Sequence, residues 1–121
     1  MNPTRWPELA QMLSGELRNL RGGAPQVMKG FAALAQAALA PGALDVKTKE
    51  LIALAISVAV RCDDCVAFHA RAAVEQGASR AEMLETLGMA IYMGAGPSAM
   101  YASHALGAFT QYEDAAKPAE A

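Results

Sequence analysis

The chain has 121 residues, 54% hydrophobic and 18% charged, with a formal net charge of −2 at pH 7. That apolar content is enough for a folded core and excludes a disordered chain. The small negative charge, without a basic tract or stripe, excludes an electrostatic nucleic-acid binder.

No stretch alternates in the manner of a strand, whereas helix signals recur along the whole chain. A first helix is predicted from about Pro7 to Leu20, with Leu9, Met12, Leu13, Leu17 and Leu20 at helical spacing and Gly22-Gly23 as its stop. Pro25, suited to a first turn, opens a second helix through Val27, Phe31, Leu34 and Leu39, closed by Pro41-Gly42. Asp45 is the expected N-cap of a third helix, about Val46 to Arg61. This helix is apolar all round after Glu50 and is expected to be the central buried one. The fourth opens at Cys62-Asp63-Asp64-Cys65, whose acids suit a helix N-terminus, and Gly77 is its expected C′ residue. Ser79-Arg80-Ala81-Glu82 reads as a capping box for a fifth helix, about Arg80 to Met93. Gly94-Ala95-Gly96 reads as a plain helix–helix turn, and Pro97 opens a sixth helix ending near Tyr112. The expected fold class is therefore all-α, about six helices. One domain is expected over 1–112, with a polar, fraying tail over 113–121 that contains Pro118.

The longest clean apolar run, Leu51 to Val60, is too short to span a bilayer. The stretch Met1 to Glu8 lacks the apolar region of a signal peptide, so the expected location is the cytoplasm and no membrane partner is expected. Aromatic residues make up only 6%, and much of the apolar content is Ala. Such a core implies closely packed helices, with Ala-rich second and sixth helices available to face other subunits. Met83, Met89, Met93 and Met100, at helical spacing, are read as core.

The two cysteines carry the chemistry. Cys62 and Cys65 enclose too short a loop for a disulfide to stabilise the fold much through chain entropy. In Cys62-x-x-Cys65-x-x-x-His69, positions i, i+3 and i+7 fall near one helix face, and His69 is an i+4 neighbour of Cys65. Cys62 lies at the helix start, where unpaired N–H groups favour a thiolate. The segment thus supplies a nucleophile, a base and a second thiol able to close a disulfide. A structural pair or a Cys/His metal site with Glu50 are the competing readings, but no second CxxC or HxxxH completes a zinc site. Asp63 and Asp64 oppose thiolate formation and are read as helix-capping acids.

Glu50 lies twelve residues before Cys62, roughly 18 Å back along a straight helix, whereas His69 lies only about 10 Å beyond it on the next. In a simple antiparallel hairpin the two side chains miss by several ångströms. His104, beside Tyr101, is read as a packed or exposed helix histidine. Gly94-Ala95-Gly96 before Pro97 is read as a turn in preference to an anion site.

The runs Lys47-Thr48-Lys49-Glu50-Leu51-Ile52-Ala53-Leu54-Ala55, Arg61-Cys62-Asp63-Asp64-Cys65-Val66-Ala67-Phe68-His69 and Glu75-Gln76-Gly77-Ala78-Ser79 resemble the AhpD-like / carboxymuconolactone decarboxylase family. The segment Ala90-Ile91-Tyr92-Met93-Gly94-Ala95-Gly96-Pro97 fits as well, so the likeness spans roughly Ala40 to Leu106. The resemblance implies an AhpD-like helical domain assembled as a homotrimer or homohexamer. It implies that Cys65 attacks peroxide and Cys62 condenses with the resulting sulfenic acid to a disulfide. It also implies that Glu50 and His69 relay protons, and that a dithiol donor such as dihydrolipoamide or a thioredoxin-like protein reduces the pair. No cofactor or metal enters that scheme. The decarboxylase branch generally lacks the CxxC pair, so its reaction is not implied. One position departs: the alkylhydroperoxidase has a histidine before the second cysteine, where this chain has Asp64, an acid that makes Cys65 harder to deprotonate. The same cysteines would also serve a redox-sensing or interaction protein without fast turnover.

Overall fold

A computed structural model describes residues 5–117, and among them the secondary structure is helical throughout, in five elements. These are α1 (Trp6–Gly23), α2 (Pro25–Leu39), α3 (Val46–Val60), α4 (Asp63–Glu75) and α5 (Arg80–Ala116). Met1 and its neighbours to residue 4, and the end of the expected tail with Pro118, lie outside the described residues. The part of that tail from Glu113 to Ala116 continues α5. No helix among the described residues is long and apolar enough to cross a membrane.

The helix boundaries follow from local chemistry. The Asp45 side chain accepts the Thr48 N–H at 2.8 Å and starts α3. Ser79 and Glu82 form the full capping box of α5: Ser79 Oγ accepts the Glu82 N–H, and Glu82 Oε1 accepts the Ser79 N–H. Glu82 also meets Lys47 Nζ at 2.8 Å, tying α5 to α3. That pairing first, then the Ser79 N–H, holds the Glu82 carboxyl below its ordinary range, and Lys47 is raised in return. At the end of α4, Gly77 takes φ +81° as C′. Its N–H bonds to Val74 O and the Ala78 N–H to Ala73 O, the two bonds of a Schellman ending.

The expected fifth and sixth helices are the two arms of α5, which meet at the break expected at Gly94-Ala95-Gly96. The backbone leaves the helical conformation at one residue inside α5, Ala95, with φ 56° and ψ −140°. Here the chain reverses. Thirty residues of straight helix would separate Arg80 from Thr110 by about 45 Å, yet Arg80 Nη1 donates to Thr110 Oγ1 at 3.1 Å and pairs with Glu113 at 3.3 Å. Gly94 permits the reversal, because a Cβ there would stand 1.8 Å from Ser98 Oγ.

The core lies between α3, α4 and the two arms of α5. Leu54 and Val58 of α3 meet Val66, Ala67, Ala70 and Ala73 of α4, with Met83 and Phe109 from the opposite arms of α5; all are fully buried. Alanines at the contacts let the helix axes approach, and a few large side chains fill the remaining volume at roughly 1.5–3 kcal/mol each. The start of α1 closes one end, where Trp6 N–H donates to Gln111 Oε1 at 2.8 Å and Tyr112 Oη donates to Trp6 O at 3.2 Å. Burial raises the Tyr112 phenol above its ordinary range.

Two burial expectations are corrected. α3 is the central helix on one side only: Ile52, Ile56 and Val60 face out, Val60 at 65% exposure. Of the four methionines, only Met83 is core, while Met89, Met93 and Met100 are exposed. An apolar pattern reports that a face avoids water; it does not say whether the cover comes from the same chain.

Candidate active site

The site begins at the turn from α3 to α4. Arg61 takes the left-handed conformation (φ 59°, ψ 51°), and its N–H bonds to Val58 O while the Cys62 N–H bonds to Ser57 O at 3.0 Å. This is a Schellman-type ending with arginine where glycine is usual, a conformation that costs a non-glycine residue roughly 1–2 kcal/mol. The reversal leaves Cys62 extended as the N-cap of α4, where its Sγ accepts the Cys65 N–H at 3.2 Å. Cys62 and Cys65 are joined as a disulfide, with their Cα atoms 5.2 Å apart. The pair therefore sits on the positive end of a helix dipole, where a thiolate on Cys62 would be stabilised.

Glu50 and His69 meet, contrary to the straight-hairpin expectation. His69 Nδ1 lies 3.1 Å from Glu50 Oε1, with the carboxylate at 4% exposure and the imidazole partly open. The rod estimate left a gap of several ångströms, and the way α3 and α4 lie against each other closes it without a bridging water. When Glu50 is ionised, Nδ1–H must be the donor, which fixes the tautomer and leaves Nε2 with a free lone pair. The buried carboxylate thus orients the ring.

Cys65 and His69 open together onto a cleft of about 570 Å³ between α1, α2, α3 and α4. Its walls are otherwise apolar, with Leu13 and Leu17 from α1, Phe31 and Leu39 from α2 and Phe68 from α4. Asp64 also lines it, whereas Asp63 is exposed and does not. Sequence reasoning assigned the α1 and α2 residues no part in a site. Leu13 and Leu17 carry only the ordinary helix spacing, and nothing local says that they face a cavity rather than a core.

The remaining candidates lie elsewhere. His104 is exposed, edge-on to Tyr101 with ring centroids 5.7 Å apart and 6.4 Å from Trp6. None of the four methionines lines the cleft beside Cys65. Among the described residues, no three His, Cys, Asp or Glu side chains come together in an arrangement able to hold a metal ion.

Comparison with known proteins identifies relatives of this fold. A carboxymuconolactone decarboxylase family protein of Legionella pneumophila, solved in its apo form, is 50% identical, with a TM-score of 0.87 over 88% of this chain and 96% of that one. A carboxymuconolactone decarboxylase family protein of Thermotoga maritima is 33% identical, with a TM-score of 0.78 over 87% of this chain and 90% of that one. An uncharacterized protein of Cupriavidus necator is 46% identical over 85 residues, 70% of this chain and 75% of that protein. The pattern of the family matches residues 25–108, which takes in α2, the disulfide, Glu50, His69 and the reversal at Ala95 but not α1. On fold, motif and sequence together, the chain belongs to the carboxymuconolactone decarboxylase family.

Proposed function

We propose that the protein is a thiol-dependent peroxidase or disulfide oxidoreductase that cycles Cys62 and Cys65 between dithiol and disulfide. The observation that carries this reading is Cys65 beside His69 on one cleft, with His69 backed by a buried carboxylate. In the reduced state His69 takes the Cys65 proton, helped by Glu50. The thiolate attacks the distal oxygen of a peroxide, leaving a Cys65 sulfenic acid and releasing an alcohol or water. Cys62 attacks that sulfur, its proton leaves with the hydroxyl as water, and the disulfide seen here results. A dithiol donor, such as dihydrolipoamide or a thioredoxin-like protein, then returns two electrons to the pair. The Thermotoga maritima relative carries a suggested involvement in antioxidative response, which fits this direction of chemistry.

Assembly into a homotrimer or homohexamer belongs to the same proposal. Val27, Phe31 and Leu34 on α2, and Ile52, Ile56 and Val60 on α3, form exposed apolar faces of a kind that copies of one chain cover in an oligomer.

The deciding experiment is a thiol count with intact mass on reduced protein, before and after stoichiometric peroxide, in wild type, Cys62→Ser and Cys65→Ser. Wild type should lose both thiols to an intramolecular disulfide. A sulfenic acid should be trapped in Cys62→Ser and not in Cys65→Ser. Unreactive thiols in all three proteins would end the peroxidase reading. Ready disulfide formation with slow turnover would assign the pair to redox sensing.

A further inference from the structure

Asp64 stands beside Cys65 on the cleft wall, and among the described residues it is, apart from His69 and the cysteine itself, the only titratable side chain lining that hollow. Among the described residues, no Lys or Arg lines it. Arg71, further along α4, lies over the Phe68 ring at 5.2 Å and 3.8 Å from Glu75, and opens onto a different hollow. The partial positive charge of the α4 N-terminus is about half a unit, less than the two carboxylates of Asp63 and Asp64 bring to the same turn. A reagent approaching Cys65 therefore meets apolar walls and one close negative charge.

We propose that Asp64 determines the specificity of the reductive half of the cycle, its carboxylate selecting uncharged aliphatic thiols over thiols that carry a carboxylate or sulfonate as reductants of the disulfide. This rests on the redox reading above. The step is thiol–disulfide exchange. A donor thiolate attacks Cys65 Sγ, the face that opens onto the cleft, and forms a mixed disulfide. The Cys62–Cys65 bond breaks, and its electron pair stays on Cys62, where the Cys65 N–H stabilises the departing thiolate. A second donor thiolate attacks the donor sulfur of the mixed disulfide, releasing oxidised donor and the Cys65 thiolate. Every attacking thiolate carries one charge, so Asp64 opposes all of them to that extent. A donor with a second negative group meets an added repulsion, and the low-polarity walls screen it less than water would.

The test compares two donors of similar size, 2-mercaptoethanol and 2-mercaptoethanesulfonate, on the oxidised protein. Second-order rates of disulfide reduction are normalised to thiolate concentration and expressed as the neutral-to-anionic ratio. That ratio should fall about five-fold in Asp64→Asn relative to wild type, with most of the difference lost at high salt. Asp64→Glu, which keeps the charge, should retain the wild-type ratio. Asp63→Asn makes the same change in net charge outside the cleft and should leave most of the ratio in place. An unchanged ratio in Asp64→Asn would overturn the proposal, as would an equal fall in Asp63→Asn. No peroxide enters this measurement, so its failure is separable from failure of the peroxidase reading, which shows in the sulfenic-acid experiment.

Discussion

Helices α2 and α3 have the same length, 15 residues, and a similar Ala- and Leu-rich composition, yet α3 buries five side chains and α2 buries none. Their ends explain much of the difference. α3 starts on a side-chain cap, Asp45 to Thr48, and ends in the tight turn that makes Cys62 the N-cap of α4. α1 and α2 have no side-chain cap, and α2 meets the rest of the chain mainly along the cleft. One hairpin, α3–α4, thus holds the disulfide and the Glu50–His69 pair against a filled core. The other, α1–α2, supplies the opposite wall of the cleft with few buried contacts, the condition for low local stability. The disulfide sits on the fixed side and the facing wall of the cleft on the yielding side.

The largest expected effect separates the two hairpins by stability. Leu54 is fully buried, and Leu54→Ala should cost about 2–5 kcal/mol in denaturant unfolding. Leu34 is 64% exposed, and Leu34→Ala should stay within about 0.5 kcal/mol. If the two cost the same and the Leu34→Ala loss depends on protein concentration, copies of the chain bury α2, and the contrast holds only for the single chain.

A smaller effect tests whether the fixed hairpin is fixed for chemistry. Glu50→Gln keeps the shape but removes the charge that orients His69. Peroxide-driven oxidation of the reduced pair should slow roughly ten- to hundred-fold, about 1.4–2.7 kcal/mol of barrier. The Leu34→Ala protein should react at the wild-type rate. An unaffected Glu50→Gln protein would make the carboxylate a structural partner of His69 and no more.

The sequence discloses what is decided within a few residues and little of what is decided across helices. Asp45, the Ser79–Glu82 box and Gly77 were legible because each cap is settled by its own turn. The helix reversal was legible at Gly94-Ala95-Gly96, where Ala95 leaves the helical conformation. Cys62, Cys65 and His69 were legible from i, i+3 and i+7 spacing. The Glu50–His69 contact was not, because it depends on how two helices lie against each other. Arg61 gives no sign of its left-handed backbone, since glycine or asparagine is the usual mark of that position. Asp63 and Asp64 read alike, and only the tertiary structure separates the cleft-lining acid from the exposed one.

The smallest effect concerns the caps themselves. Hydrogen bonds from Thr48, first from its side chain and then from its N–H, hold the Asp45 carboxyl below its ordinary range, and Lys47 followed by Ser79 does the same for Glu82. A carboxyl depressed in the folded state contributes stability that is complete above its unfolded pKa and disappears as pH falls through its folded one. Unfolding midpoints should therefore be steady from pH 7 down to about pH 5 and decline below it. Asp45 is exposed and Glu82 only partly buried, so the decline should be shallow. Ser79→Ala, which removes the hydroxyl half of the box, should cost about 1 kcal/mol at neutral pH. Glu82→Gln should lower the midpoint at pH 7, with the gap to wild type narrowing towards pH 3 as the wild-type carboxyl takes up its proton. These caps serve α3 and α5, and α1 and α2 have no counterpart to lose. A gap that stays constant with pH would mean that Glu82 acts by shape and hydrogen bonding alone, and that charge has no part in what distinguishes the capped helices from the uncapped pair.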